Sequence, residues 1–170
     1  MPTLYVTIGA PGAGKSTWAK EILDGVWVSR DEIRNEIVGL DRAEQEGRKV
    51  NYFSKEDTVY SVFILAIQKN LSEGKDVIAD ATHIDKKARD KLFRMLNAKG
   101  KLYDEAIAVV FDVTPQTCIA RNRLRKGWRR VPDHVINEMY SKFYRDFYTL
   151  DQHFDKVIIV NEKGEYKYAK

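Results

Sequence analysis

Residues Gly9-Ala10-Pro11-Gly12-Ala13-Gly14-Lys15-Ser16 match the pattern G-x-x-x-x-G-K-[ST], with an apolar, β-branched run at 4–8 before them and a helix-forming stretch after. Strand, glycine turn and helix in that order leave few folds open to the chain. Glycines let the backbone curl so that successive N–H groups face a bound phosphate, and the following helix adds the positive end of its dipole. Lys15 supplies a point charge. The Ser16 hydroxyl is placed to join Mg²⁺ bridging the β- and γ-phosphates of a nucleoside triphosphate such as ATP. Gly9 to Ser16, with Thr17 next to them, are the candidate nucleotide-binding residues.

Four more short runs, at 26–28, 76–79, 106–111 and 156–160, have strand character and are bounded by polar or glycine signals. Between them, Val59, Val62, Phe63, Ala66 and Ile67, and then Ala88, Leu92, Met95 and Leu96, recur at helical spacing. Alternating strands and helices predict an α/β fold of the P-loop NTPase kind: a five-stranded parallel sheet with helices on both faces. Ile136, Met139, Tyr140, Phe143, Phe147 and Leu150 predict one last long helix with Pro132 in its first turn. Residues 41–49 lack an apolar period and read as a mobile loop. The 170 residues suit a single domain, 1–170. No apolar run is long enough for a membrane span, and residues 1–9 read as a first strand rather than a signal peptide, so a cytoplasmic protein is expected. One cysteine, Cys118, and three scattered histidines exclude a disulfide scaffold and a zinc module.

Charge is unevenly distributed. Residues 86–101 and 121–130 carry thirteen basic side chains against Asp90 alone, whereas the rest of the chain is net acidic. Such concentration points to an anionic partner. The segment 121–131 (Arg121-Asn-Arg-Leu-Arg125-Lys126-Gly-Trp-Arg-Arg-Val) reads as a basic lid that would bring Arg121 and Arg125 to the donor phosphates. The basic face of 86–101 lies largely opposite Ala88, Leu92 and Met95 and reads as solvated. Trp128 and the aromatics of 140–148 offer base-stacking surfaces, although helical spacing favours a core role.

Ser29 and Glu32 form an S-x-x-E capping box, which places Asp31 in the first turn of a helix and Arg34 on the same face. A carboxylate there can accept the proton of an attacking hydroxyl, and a guanidinium can hold an acceptor phosphate; an exposed ion pair is the alternative. Glu32 reads as a cap partner only. The third strand closes on Asp80, either a second carboxylate near the metal or a strand-end cap. Thr82 and His83 read as ordinary loop residues.

Gly9–Ser16 with Thr17-Trp18-Ala19, then Arg30-Asp31-x-x-Arg34, Asp80, Phe111-Asp112-Val113, Arg121-Asn122 and Val131-Pro132, resembles the kinase domain of phage-type polynucleotide 5′-kinases over residues 3 to 145 or so. The resemblance implies that Lys15 and Ser16 hold the donor phosphates and that Asp31 is the general base for a DNA or RNA 5′-hydroxyl. It further implies that Arg34 binds the acceptor's 3′-side phosphate and that Arg125, or Lys126 beside it, contacts the donor. A kinase acting on a small alcohol uses the same loop. A GTP switch would require an Asn-Lys-x-Asp signature, which the chain lacks.

Overall fold

The computed structural model describes residues 1–169. Five parallel strands, β1 (Thr3–Ile8), β2 (Val26–Ser29), β3 (Val77–Asp80), β4 (Glu105–Phe111) and β5 (Lys156–Val160), form a sheet in the order β2-β3-β1-β4-β5. An antiparallel edge strand, β6 (Tyr166–Tyr168), pairs with β5 and adds a sixth to the five expected. Its cue was a turn. Asn161 accepts the backbone N–H groups of Lys163 and Glu165 on its side-chain oxygen, and Gly164 takes φ +79°.

Among the described residues seven helices flank the sheet: α1 (Lys15–Ile22), α2 (Arg30–Val38), α3 (Leu40–Gln45), α4 (Glu56–Ser72), α5 (Lys86–Leu96), α6 (Pro115–Arg123) and α7 (Asp133–Asp146). β3 and β4 are almost wholly buried, and β4 accordingly runs apolar from Ala106 to Phe111 without alternation. β1 lies between β3 and β4, so the chain crosses over it and leaves a crevice at the carboxyl ends of the strands. The register aligns Ser29 with Asp80 and Ile8 with Val110, delivering the glycine loop, the start of α2 and Asp80 to the same edge.

Three expectations change. The stretch 41–49 is not simply a loop, because α3 occupies most of it. Gly39, at φ +76°, ends α2 and opens α3, and Leu40 and Ala43 anchor one turn in the core. Two apolar residues three apart are too few to announce a period. The last helix is shorter than predicted: α7 ends at Asp146 and tightens into a 3₁₀ turn over Phe147–Gln152, with Pro132 capping α7 rather than lying within it. Finally, Arg89 is not on a solvated face. It is 1% exposed, and its guanidinium donates to the carbonyls of His83, Ile84 and Asp146 and to Thr149 Oγ1.

His83 connects β3 to α5 with φ +44°, the only non-glycine positive φ among the described residues. Its Nδ1–H donates to the Thr7 carbonyl at 2.9 Å, and its ring stacks on Phe63. Burial pushes the imidazole down to about 4. The unfolded chain, titrating near ~6.5, binds a proton that the folded chain refuses. Stability is therefore expected to fall as pH drops from about 6.5 towards 4, by up to about 3 kcal/mol. Urea unfolding across that range should show the decline in the native chain and a flatter profile in His83→Asn; parallel profiles would contradict it.

Candidate active site

The glycine loop runs from β1 into α1 with Gly12 at φ +86° and Gly14 at φ +89°, left-handed conformations that glycine adopts without strain. Gly9 N–H donates to Thr82 O at 3.0 Å, tying the loop to the end of β3. Lys15 folds back to donate from Nζ to Ala10 O at 3.0 Å. Burial lowers its pKa, opposed by the nearby charges of Asp80 and Asp31, while Arg125 adds to the lowering. The four charged groups therefore share one electrostatic neighbourhood. A Cβ on Gly12 would lie 2.4 Å from Cys118 O in α6. Gly12→Ala is expected to weaken ATP binding by about 10- to 100-fold, from strain of roughly 1–3 kcal/mol, as measured by titration calorimetry. Unchanged affinity would show that the loop tolerates the shift.

Asp80 is 4% exposed and accepts three hydrogen bonds: Thr7 Oγ1 at 3.1 Å on Oδ1, and Ser16 Oγ at 2.6 Å and Trp27 Nε1 at 2.9 Å on Oδ2. Sequence reasoning missed Trp27, whose indole reaches Asp80 from the neighbouring strand. A hydroxyl and a carboxylate side by side suit Mg²⁺, a hard cation that keeps several waters and uses substrate phosphates as ligands. Among the described residues no group of three or more His, Cys, Asp or Glu side chains is arranged to hold a metal unaided.

Ser29 caps α2, its Oγ accepting Glu32 N–H at 3.2 Å. The carboxylate of Glu32 does not close the capping box; it pairs with Arg129 at 2.8 Å. Asp31 and Arg34 do meet, with Arg34 Nη1 2.7 Å from Asp31 Oδ1. The Asp31 side chain is 64% exposed, while that of Arg34 is buried. Arg34 also donates to both oxygens of Glu56, at 2.9 and 2.7 Å, and to Tyr52 Oη at 2.7 Å. Four of its five N–H groups are thus engaged within the protein. The guanidinium expected to grip an acceptor phosphate is paired here with Asp31 and with Glu56, at the first turn of α4, which Arg30 also contacts. Burial pushes the Tyr52 phenol up to about 12, so it stays protonated and donates to Asp31 Oδ1 at 3.3 Å. Asp31 Oδ2 accepts no hydrogen bond among the described residues, and most of the side chain is exposed. Glu56 and Tyr52 had no recognisable sequence signal, lying 22 and 18 residues from Arg34.

The basic segment after α6 folds back over the crevice. Asn122, fully buried, exchanges two hydrogen bonds with the backbone of Val131 and closes the base of the lid. Arg121 reaches the carbonyls of Gly12 and Ala13 at 3.4 and 3.5 Å and that of Glu162 at 3.1 Å. At the tip, a 3₁₀ turn over Gly127–Arg129, Trp128 donates its indole N–H to Asp41 at 2.7 Å and its backbone N–H to Glu44. Arg123 pairs with Asp133. Arg125, Lys126 and Arg130 are exposed and make no ion pair among the described residues. Of the aromatics offered for stacking, Tyr140 is buried and donates to Val113 O, whereas Tyr144 and Tyr148 are exposed.

Sheet order, glycine loop, strand-end carboxylate and lid together define an α/β P-loop kinase fold. The family described as AAA domain matches residues 4–145, and the chain belongs to it. A protein of Autographa californica nuclear polyhedrosis virus, described as a bifunctional polynucleotide kinase/RNA ligase, is 24% identical over 148 residues, covering 84% of this chain and 21% of that protein. A chain from the Pnkp1/Rnl/Hen1 RNA repair complex aligns with TM-score 0.67 and 22% identity over 88% of this chain and 46% of its own. A sugar kinase from Janibacter sp. HTCC2649 aligns with TM-score 0.60 and 16% identity over 97% of this chain and 88% of its own. The chain thus spans about a fifth of the viral relative and under half of the repair-complex chain. No helix among the described residues is long and apolar enough to cross a membrane.

Proposed function

We propose that the protein is an ATP- and Mg²⁺-dependent kinase that transfers the γ-phosphate to the 5′-hydroxyl of DNA or RNA. The observation that carries this reading is the Asp31 carboxylate: Oδ1 is held by Arg34 and Tyr52, while Oδ2 accepts no hydrogen bond among the described residues, on a largely exposed side chain whose charge acts on Lys15. Oδ2 would accept the hydroxyl proton and aim its oxygen at the γ-phosphorus. The transition state of phosphoryl transfer is loose, so orientation outweighs base strength. Lys15 and the loop from Gly9 to Thr17 would hold the donor, and Ser16 and Asp80 would hold Mg²⁺ directly or through water. In this reading Arg34 positions Asp31, and the acceptor's phosphates fall to the unpaired lid cations Lys126 and Arg130. Arg121 and Arg125 serve the donor.

The polynucleotide acceptor draws support from the viral relative and from the concentration of unpaired positive charge in the lid. A small neutral alcohol is the second reading, favoured by the engagement of Arg34 with Glu56 and by the breadth of the sugar-kinase alignment. Labelled ATP supplied with a nucleoside, a 3′-mononucleotide, a 5′-OH oligonucleotide and a sugar acid separates the two. The oligonucleotide is expected to rank first, and its affinity should fall with salt at a log–log slope of about −0.7 per phosphate neutralised. Transfer confined to small alcohols, insensitive to salt, would overturn the polynucleotide reading.

A further inference from the structure

Beside Asp31 lies a run of aromatic surface that the phosphate chemistry does not use. Tyr52 and Phe53, in the connection between α3 and α4, meet edge to face with ring centroids 4.7 Å apart. The buried Arg34 guanidinium backs both rings, at 4.5 Å from Tyr52 and 5.7 Å from Phe53. On the other side, Trp128 of the lid lies 6.2 Å from Tyr52, and Arg129 sits over the indole at 4.2 Å. Asp41 pins the indole N–H, so the lid presents this ring in a set orientation. Phe53 is nonetheless 65% exposed, although a phenyl ring gains most when it leaves water.

We infer that Tyr52, Phe53 and Trp128 form a stacking platform for the nucleobase of the acceptor's 5′-terminal nucleotide. The inference rests on the polynucleotide reading above and deepens it, because it states which part of the acceptor is recognised. The platform belongs to the acceptor side. Tyr52 Oη is 3.3 Å from Asp31 Oδ1, whereas the donor loop is bridged by Arg121 to Glu162. In a terminal nucleotide one sugar separates the 5′-hydroxyl from the base, so a base on these rings carries its hydroxyl to the Asp31 carboxylate. Every base has a π-face, and recognition by stacking accepts all four. Cations behind and above the rings strengthen their hold on an electron-rich base. A sugar acid has no flat group to cover them.

The test uses the full chain and two 5′-OH oligonucleotides of equal length and charge, one with a normal terminal nucleotide and one with an abasic tetrahydrofuran there. The abasic acceptor is expected to raise KM by about 5- to 150-fold, the span that single-base stacking corresponds to, while the four normal bases stay within a few-fold of one another. Phe53→Ala should raise KM for the normal acceptor and leave that of the abasic one unchanged. A purely structural role would raise both. Equal KM for the two acceptors in the unmodified chain overturns the platform and leaves the 5′-kinase reading standing. Failure to label either oligonucleotide, with labelling of a small alcohol, removes both.

Discussion

Asp31→Asn is expected to lower kcat for transfer to the acceptor hydroxyl by about 10²- to 10⁴-fold, with ATP affinity retained. The amide oxygen of asparagine can keep the bonds from Arg34 and Tyr52, so the start of α2 should hold its shape. What changes is the outer atom, where an N–H donor replaces the open oxygen that would receive the hydroxyl proton. Steady-state kinetics with separate ATP titration reads the two effects independently. A parallel loss of ATP affinity, or kcat within a few-fold of the native value, would remove Asp31 from the acceptor site. Tyr52→Phe supplies the companion measurement. It deletes the hydrogen bond to Oδ1 and the one that Oη accepts from Arg34, but Arg34 keeps its bonds to Asp31 and Glu56, and a smaller loss of kcat is expected.

Arg89→Ala is expected to cost about 3 kcal/mol of stability and to lower Tm by roughly 6–12 °C, read by thermal unfolding. The side chain is buried at the junction of the β3–α5 connection with the end of α7, and its removal leaves the carbonyls of His83 and Ile84 without that partner. Asp146 O keeps a bond from Thr149, which limits the loss on that side. Burial lowers the guanidinium pKa, while Asp146, Asp85 and Asp90 act in the opposite direction, so the charge is stabilised by its surroundings without a direct carboxylate contact. Arg89→Lys should recover only part of the stability, because an ammonium cannot reach both sides of the junction at once. A Tm within about 2 °C of native in the alanine variant would show that the junction is held by packing alone.

The salt dependence of acceptor binding and the acid sensitivity conferred by His83 act in different places and separate experimentally. Acid destabilisation through His83 belongs to the whole fold and should appear without substrates. The lid contributes differently: Arg129 on Glu32 joins two charges with substantial solvent exposure, whose attraction is screened by salt.

What the chain's local order determined is the glycine loop and the helix starts beside it. A glycine loop needs positive φ at Gly12 and Gly14, a following helix needs its N-terminus there, and Ser29 needs only the N–H three residues on; these are codes a few residues long, and they are visible without the fold. β3 and β4 were legible for a related reason, since strands buried on both faces run apolar. The surroundings of Asp31 were decided in three dimensions. Whether Arg34 faces a ligand or Glu56 depends on α4 packing against α2, and whether Trp128 is core or lid depends on Asp41, 87 residues away. Arg89 looked like one more solvated cation until the end of α7 closed over it. A charged or aromatic side chain takes its role from the partner that desolvates it, and only the tertiary fold brings that partner near.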